Sequence, residues 1–391
     1  MNFWQQLPRP IIVLAPLADV TDAPFRRLIA KYSAHERANG TVGGPDVFWT
    51  EFVSADGLMR ATPEGKQKLM ADLIYTEAER PIVAQLFSSN EEHMEAAAAL
   101  CRELGFDGID INMGCPDRSI EKQGCGSAMI KNPENAKRII AAAKRGAGSL
   151  PVSVKTRLGY NQDQLEEWLP ELLSAEPAVI TIHARTRKEM SKVPAHWERV
   201  ARAVEIRNEQ GSDALIFGNG DVLSVEHAHA LAAEHHADGV MLGRALFGNP
   251  WLFHPSKTLP ERIDLSATSS AAHRTGTYDS GADSSLSRTS SPAAPSRPVN
   301  QARAFLGKKG NQDSTIEIIT TKERLRVMVE HTELFEKLLP FKNFAIMKKH
   351  YKAYCQGFDG AKELRTRLME SNTAAEVRNL VESFLASHNT I

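Results

Sequence analysis

Short apolar runs alternate with longer segments of helical character over the first 254 residues of the chain. Eight such runs occur, at residues 11–16, 47–50, 81–84, 108–111, 152–154, 178–182, 214–217 and 239–242. Continuous apolar runs of this length are typical of parallel strands that are buried on both faces. Eight strand–helix units within about 250 residues predict an α/β protein with a (β/α)8 TIM barrel. A doubly wound sheet is the competing architecture, but it usually contains fewer strands.

A polar or reactive side chain follows nearly every one of these runs. The set comprises Glu51, Gln85, Asn112, Cys115, Lys155, His183, Arg185, Asn219, Asp221 and Arg244. Taken singly, each has an ordinary structural explanation, such as a helix cap, an ion-pair partner or a buried histidine. In a barrel, however, the carboxyl ends of all strands share one rim, and that rim carries the chemistry of the fold. We therefore expect these side chains to converge on one active site.

Composition and charge remove several classes of function. The formal net charge of −1 gives no overall field toward nucleic acid or membranes, so any such affinity must be local. The four cysteines lack the paired spacings of a zinc site or a disulfide scaffold and predict a reducing, cytoplasmic location. The first apolar run is interrupted by Pro16 and Asp19, so we expect neither a signal peptide nor a membrane span. No His, Asp and Glu cluster has the spacing of metal ligands, and no metal is predicted.

The residues after the last two strands indicate a phosphate site. Gly218, Gly220 and Gly243, with Arg244, lie where barrels bind phosphate through backbone amides. The rim also offers three amides, a lysine and a thiol, contributed by Gln85, Asn112, Asn219, Lys155 and Cys115. This inventory suits flavin mononucleotide (FMN), with amides and a lysine along the edge of the ring.

These motifs, in this order, resemble those of the tRNA-dihydrouridine synthase family. The matching segments are residues 15–26, 85–86, 112–116, 154–159, 183–187, 218–221, 243–244, 347–350, 357–358 and 363–365. The family reduces specific uridines of tRNA with FMN, which is itself reduced by NADPH. One departure is Leu17, where family members more often carry methionine; a residue of similar size and polarity should cost little.

The resemblance implies a role for each matching position. Cys115 matches the catalytic proton donor, and a thiol with an ordinary pKa of about 8.5 is mostly protonated near neutrality. Asn112 and Arg185 match substrate contacts. The positions that match FMN contacts are Pro16, Leu17, Ala18, Gln85, Lys155, His183, Asn219, Gly220, Asp221, Gly243 and Arg244. Cys125 lies on the same loop as Cys115, and we interpret its thiol as incidental.

The chain after the barrel divides into two predicted parts. Residues 255–315 are rich in Ser, Thr, Ala and Pro and predict a disordered linker between the 1–254 barrel and a 316–391 domain. Helical periodicity returns from Ile316 and predicts a small all-α domain. Basic residues outnumber acidic ones between Phe341 and Arg367, and we interpret this segment as a tRNA-binding surface. Its candidate contacts are Lys348, Lys349, Lys352 and Arg365.

We expect the protein to be a monomer, and two other functions stay open. An FMN-dependent oxidoreductase acting on a small pyrimidine or enone needs the same barrel but has no use for the basic helical domain. A flavin-free RNA-binding protein on a decayed barrel is the third hypothesis. It is disfavoured because none of the positions that match flavin contacts has been lost.

Overall fold

Eight parallel strands form the centre of the fold. The computed structural model describes residues 2–37, 40–260 and 316–388. The strands are β1 (Ile11–Leu14), β2 (Phe48–Ser54), β3 (Ile82–Phe87), β4 (Gly108–Asn112), β5 (Val152–Arg157), β6 (Val179–His183), β7 (Leu215–Asn219) and β8 (Gly239–Leu242). From β2 to β8, each strand pairs in parallel with the next one along the chain, and β8 pairs with β1. A parallel bridge between Val13 and Val47 joins β1 to the segment that enters β2 and closes the sheet. The predicted (β/α)8 barrel is confirmed.

Helices surround this barrel and continue beyond it. Those of the barrel are α1 (Ala23–Tyr32), α2 (Ala55–Arg60), α3 (Pro63–Ala71), α4 (Glu91–Glu103), α5 (Arg118–Glu121), α6 (Pro133–Ala147), α7 (Leu165–Leu173), α8 (Trp197–Glu209) and α9 (Val225–His235). Those of the C-terminal region are α10 (Thr321–Leu338), α11 (Met347–Tyr354), α12 (Ala361–Leu368) and α13 (Ala374–Ser387). Side chains cap the first turns of two barrel helices: the Asp22 carboxylate accepts the N–H of Phe25 at the start of α1, and the Asn132 side chain caps α6. Among the described residues, no helix combines the length and apolar character needed to cross a bilayer.

The barrel is closed at one end and polar at the other. Its interior holds an apolar cluster that includes Val13, Val83, Phe217 and Met241. Trp4, on the 3-10 helix Phe3–Gln6, is 1% exposed and covers the amino ends of the strands. Chemistry is therefore confined to the carboxyl ends, where the inward-facing side chains are polar.

The C-terminal helices pack against the first barrel helix. The ring of Phe25 on α1 stacks on His331 of α10, with centroids 5.1 Å apart. Glu330 of α10 accepts hydrogen bonds from Lys31 and Tyr32 on α1. The short strands Lys257–Thr258 and Glu317–Ile318 pair in parallel and join the ends of the described segments. The predicted linker lies, from residue 261 onward, outside the described residues, so the proposed domain boundaries stay a prediction.

Candidate active site

Strand register brings four of the predicted side chains together at the barrel mouth. Asn112 pairs with Lys155 across β4 and β5, and His183 pairs with Asn219 across β6 and β7. The Lys155 ammonium donates to the Asn219 amide oxygen at 3.2 Å. The Asn219 amide nitrogen in turn donates to the carbonyl of Met241 at 2.8 Å. The amide orientation is thereby fixed with its oxygen toward the lysine.

Cys115 lies on a tight turn after β4 that is held from three sides. The Asn112 amide oxygen accepts the backbone N–H of Cys115 at 2.9 Å and that of Gly114 at 3.2 Å. Arg157 Nε donates to the carbonyl of Gly114 at 2.7 Å. The carbonyl of Cys115 accepts the N–H of Ser127 at 2.9 Å. These contacts fix the backbone that carries the thiol.

The Cys115 thiol is partly buried, and burial raises its pKa above the ordinary value. The thiol is therefore protonated at neutral pH, as a proton donor requires. Cys125 is 1% exposed, and burial raises its pKa to about 11. Both cysteines pack against the small apolar cluster of Phe87 and Ile120. Cys125 therefore belongs to the packing of the loop that carries Cys115.

Arg157 belongs to this site although it was not among the predicted binding or catalytic residues. It is the last residue of β5 and is 7% exposed. Burial lowers its pKa to about 10, and the nearby cations Arg185 and Arg187 act in the same direction. The signal that points to it is its position two residues after Lys155, which places both side chains on the inner face of one strand.

Lys155 and His183 have pKa values that differ from those in water. Burial first, and then the charge of Arg157, lowers the pKa of Lys155 to about 8. Burial and four surrounding cations hold the pKa of His183 well below its usual range. Arg185 Nη1 lies 3.1 Å from His183 Nε2 and can only donate, so Nε2 accepts. His183 is thus neutral and carries its proton on Nδ1, where it is a hydrogen-bond donor.

Asp221 organises the residues after β6 and β7. Its carboxylate lies 2.5 Å from Arg185 Nη2 and accepts the N–H of Ala195 at 2.8 Å. Arg244 pairs with the other oxygen of the same carboxylate. Burial opposes the charge of Asp221, but these donors outweigh it and lower its pKa.

The two arginines that share Asp221 differ in exposure. The Arg185 side chain is 2% exposed, and its Nε donates to the carbonyl of Val193 at 2.6 Å. In this structure its guanidinium is committed within the protein, and its predicted substrate contact stays a prediction. The Arg244 side chain is 61% exposed. Arg244 is therefore the cation of this pair that is open to an anionic ligand.

The residues present fit a flavin nucleotide. A methyl group built on Gly243 would be in ordinary van der Waals contact with Ala15 Cβ at 3.6 Å, so the backbone at this glycine lies close to the 15–17 segment. Gly220 has a φ of +128°, a conformation that side chains rarely adopt. The exposed Arg244 directly follows Gly243 in the sequence, and Lys155 and Asn219 line the mouth. Arg244 provides a cation for the phosphate at one end of the site. Lys155 and Asn219 provide the hydrogen-bond donors that the flavin ring requires at the other end.

The side chain of Gln85 is fully buried below the barrel mouth. It is 0% exposed, its nitrogen donates to Asp110 at 2.6 Å, and its oxygen accepts from Asn112 at 3.0 Å. The segment 16–18 lies at the rim, with Pro16 buried and Ala18 exposed. The FMN contacts assigned to these residues stay predictions.

The basic segment of the C-terminal region contains both core and surface residues. His350, Tyr351 and Tyr354 are each 0% exposed and belong to the helical core. Lys352 and Arg365 line a shallow groove between α11 and α12, together with Lys362, Gln356, Thr366 and Met369. Lys348 and Lys349 are partly buried on α11, and Lys349 Nζ lies 3.7 Å from Asp19. The predicted tRNA contacts thus lie on one pair of helices, and their role stays a prediction.

A protonated thiol, a neutral imidazole and a partly buried lysine at the carboxyl end of a (β/α)8 barrel define an enzyme site. The family model for dihydrouridine synthase matches residues 13–279. The probable tRNA-dihydrouridine synthase 2 of Bacillus subtilis is 35% identical over 384 residues, covering 98% of this chain and 96% of the relative. The probable tRNA-dihydrouridine synthase of Staphylococcus aureus strain COL is 34% identical over 388 residues, with coverage of 98% and 96%. The chain belongs to the dihydrouridine synthase family, as its motifs predict.

Proposed function

We propose that this protein is a tRNA-dihydrouridine synthase that uses FMN, with NADPH as the reductant, and acts as a monomer in the cytoplasm. The reaction converts the C5–C6 double bond of a uridine in tRNA into a single bond. The observation that carries the proposal is the protonated Cys115 thiol on a turn fixed by Asn112 and Arg157, next to the Lys155–Asn219 pair. Family membership and the activity named for the relatives support it.

The cofactor would be held by residues from both ends of the mouth. Arg244 and the backbone around Gly220 and Gly243 would take the phosphate. Lys155 and Asn219 would lie along the ring, and the Nδ1–H of His183 would offer a further hydrogen bond. When bound, reduced FMN supplies the hydride that adds to C6 of the uracil. Below a pH of about 8 Lys155 is charged, and this charge would stabilise negative charge on a bound flavin ring.

Cys115 completes the reduction by giving its proton to C5. Its S–H bond breaks, a C–H bond forms, and the resulting thiolate recovers a proton from solvent. The raised pKa of Cys115 suits this role, because a general acid must carry its proton when the reaction starts and a thiolate carries none. Arg157 lies near enough to influence the charge of the thiolate.

Recognition of the tRNA is assigned to the C-terminal helices. The groove that contains Lys352, Lys362 and Arg365 presents cations to phosphates. A folded RNA held there by its backbone leaves the target uridine to be extruded into the barrel mouth. Asn112 and Arg185 are the proposed positioning groups around that base.

The test uses the purified full-length protein, tRNA that lacks dihydrouridine, FMN and NADPH, with dihydrouridine measured by mass spectrometry of digested tRNA. We expect product with tRNA and none with free uridine or a cyclic enone. Turnover of the small substrates without product in tRNA would instead support the second function. Truncation before α10 is a poor test, because it would expose the buried Phe25 and leave the charge of Glu51 without Lys342.

A further inference from the structure

A chain of hydrogen bonds runs from the middle of the barrel to the turn that carries Cys115. The Ser153 hydroxyl lies 2.5 Å from Asp110 Oδ1, and Gln85 Nε2 donates to Asp110 Oδ2 at 2.6 Å. Asn112 Nδ2 donates to Gln85 Oε1 at 3.0 Å, and the Asn112 oxygen accepts the Cys115 N–H at 2.9 Å. Asp110, Gln85, Asn112 and Ser153 are each at most 7% exposed.

The polarity of this chain is set by its two ends. The backbone N–H groups of Gly114 and Cys115 can only donate, so the Asn112 oxygen must face them. The Asn112 nitrogen therefore faces Gln85, which must present its oxygen there. The Gln85 nitrogen consequently faces Asp110, which must accept. The amides keep this orientation only while the residue at position 110 offers a lone pair to Gln85.

A donor at position 110 would reverse the chain. Gln85 would then turn its oxygen toward that donor and its nitrogen toward Asn112. Asn112 would have to turn in response and present N–H groups to the N–H groups of Gly114 and Cys115. Buried donors that face each other without acceptors are strongly unfavourable, so the turn would not keep its shape.

We propose that Asp110 is a positioning residue for the Cys115 turn, which it orients through the amides of Gln85 and Asn112. The proposal rests on the proposed function only in treating Cys115 as the proton donor. Asp110 itself lies below the mouth and is 0% exposed. Its effect on the reaction is therefore indirect, through the placement of the thiol.

The groups around Asp110 allow the effect of its charge to be distinguished from the effect of its hydrogen-bond acceptor. The groups that act on it are Gln85 from β3, Ser153 and Lys155 from β5, and Trp49 from β2. Lys155 is the charged member of this group. Burial raises the pKa of Asp110 to about 6, so the carboxylate is ionised at neutral pH.

Three variants of the full-length protein test the proposal. Asp110→Asn keeps an acceptor for Gln85, and its nitrogen faces Ser153, whose hydroxyl then turns to the Ile109 carbonyl 3.3 Å away. Asp110→Ala removes the acceptor. Ser153→Ala is the matched control, because it removes a partner of Asp110 at the far end and leaves the contact with Gln85 intact.

We expect Asp110→Ala to lower kcat for dihydrouridine formation at least tenfold, with less than a twofold change in KM for tRNA and in bound flavin. Asp110→Asn and Ser153→Ala should stay within threefold of wild type. The rate of Cys115 alkylation by iodoacetamide, followed by peptide mass spectrometry, should rise at least threefold in Asp110→Ala as the turn loosens. Wild-type kcat and alkylation in Asp110→Ala, or equal impairment of Asp110→Asn, would overturn the proposal.

A second measurement covers the case in which Asp110→Ala does not fold. The rate of Cys115 alkylation in wild type is divided by the rate in Asp110→Asn at each pH. Because both proteins carry the same thiol, the pH dependence of its ionisation cancels in this ratio. We expect this ratio to stay constant from pH 5 to 8, because Asp110 that takes up its proton near pH 6 keeps, like asparagine, an acceptor oxygen for Gln85. A ratio that rises below pH 6 would show that the charge of Asp110 holds the turn, and not the acceptor, and would contradict the proposal. Absence of dihydrouridine in the wild type would count against the proposed function alone, because alkylation still reports on the turn.

Discussion

The ammonium of Lys342 lies 3.0 Å from the carboxylate of Glu51, although 291 residues separate them in sequence. Lys342 also lies 2.7 Å from Asp72, and both partners of the Glu51 pair are largely buried. The Glu51 carboxylate accepts the N–H of Asp19 on the segment after β1. Lys342 therefore connects the C-terminal region to the barrel rim and is committed within the protein, although it belongs to the basic segment.

Replacing Lys342 should destabilise the whole protein. Burial raises the pKa of Glu51, and burial together with Glu51 raises the pKa of Asp22 to about 7, so this region already holds more negative charge than it accommodates easily. Lys342→Met leaves two buried carboxylates without their cation, and such a loss typically costs about 3–5 kcal/mol. Urea unfolding of the variant measures this cost.

The exposed Lys352 provides the control for that measurement. Lys352→Met should change the free energy of unfolding by less than about 0.5 kcal/mol, as surface substitutions usually do. The double variant Glu51→Gln with Lys342→Met should recover part of the loss, because one of the carboxylates is then neutral. Equal stability of Lys342→Met and wild type would show that the ion pair contributes nothing to the docking of the helices.

Much of the barrel could be predicted from the sequence, because its strands are marked by short runs of neighbouring residues. Each strand is a short apolar run, and each run ends at a polar residue that the fold brings to one rim. Gly114 and Pro116, which follow the fourth strand, are local signals that the strand has ended beside Asn112 and Cys115. These are properties of neighbouring residues and need no knowledge of the rest of the chain.

The rest of the site depends on contacts that the sequence does not display. Arg185 and Arg244 both follow strands and look equivalent, yet one is buried against Val193 and the other is exposed. The partner of Lys342 lies nearly three hundred residues away. Tyr351 alternates with basic residues as an RNA-stacking residue would, but it packs into the helical core. In each case tertiary packing, and not local pattern, decides the role.

Cys115→Ala should separate flavin binding from chemistry. The thiol belongs to the turn after β4, away from the exposed Arg244 and the glycines of the phosphate end, so flavin absorbance should be retained. Dihydrouridine formation should fall at least a hundredfold, at the lower end of what loss of a general acid costs. Cys125→Ala, which alters the packing of the same loop, should keep activity within a few fold. Wild-type activity in Cys115→Ala would refute the assignment of the proton donor.

Lys155→Met should stabilise the flavin-free protein while weakening flavin retention. The folded pKa of about 8 is below the ordinary value of 10.5, so folding releases a proton between these pH values and the charged lysine is a cost at lower pH. A shift of this size corresponds to roughly 3 kcal/mol, and partial exposure of Lys155 reduces it.

The sign of this effect can be checked by unfolding the flavin-free proteins at several pH values. Wild-type stability should rise relative to Lys155→Met as the pH increases from 8 to 10.5, and the difference below pH 8 should be constant. Asn219→Ala, which removes a partner of the lysine but leaves its charge, is the comparison. A stability difference that is the same at pH 7 and pH 10.5 would contradict the lowered pKa.

The groove between α11 and α12 should carry a measurable share of tRNA affinity. Lys352 and Lys362 are exposed on its two sides, whereas Lys349 is near Asp19 and is partly neutralised. Converting Lys352 and Lys362 to Gln removes two phosphate contacts. The slope of log affinity against log salt should then fall by about 1–2, as expected for two lost contacts, with weaker binding to all tRNAs tested.

The matched control is Arg145→Gln on α6, because that arginine is about half exposed but pairs with Glu95 on the outer surface of the barrel. It should leave both the affinity and the salt slope unchanged. Affinity is measured by filter binding or fluorescence anisotropy at salt concentrations from about 50 to about 250 mM. Over roughly this range the release of counterions changes the affinity measurably. If the groove variant and the control have the same slope, tRNA contacts a different surface of the C-terminal helices.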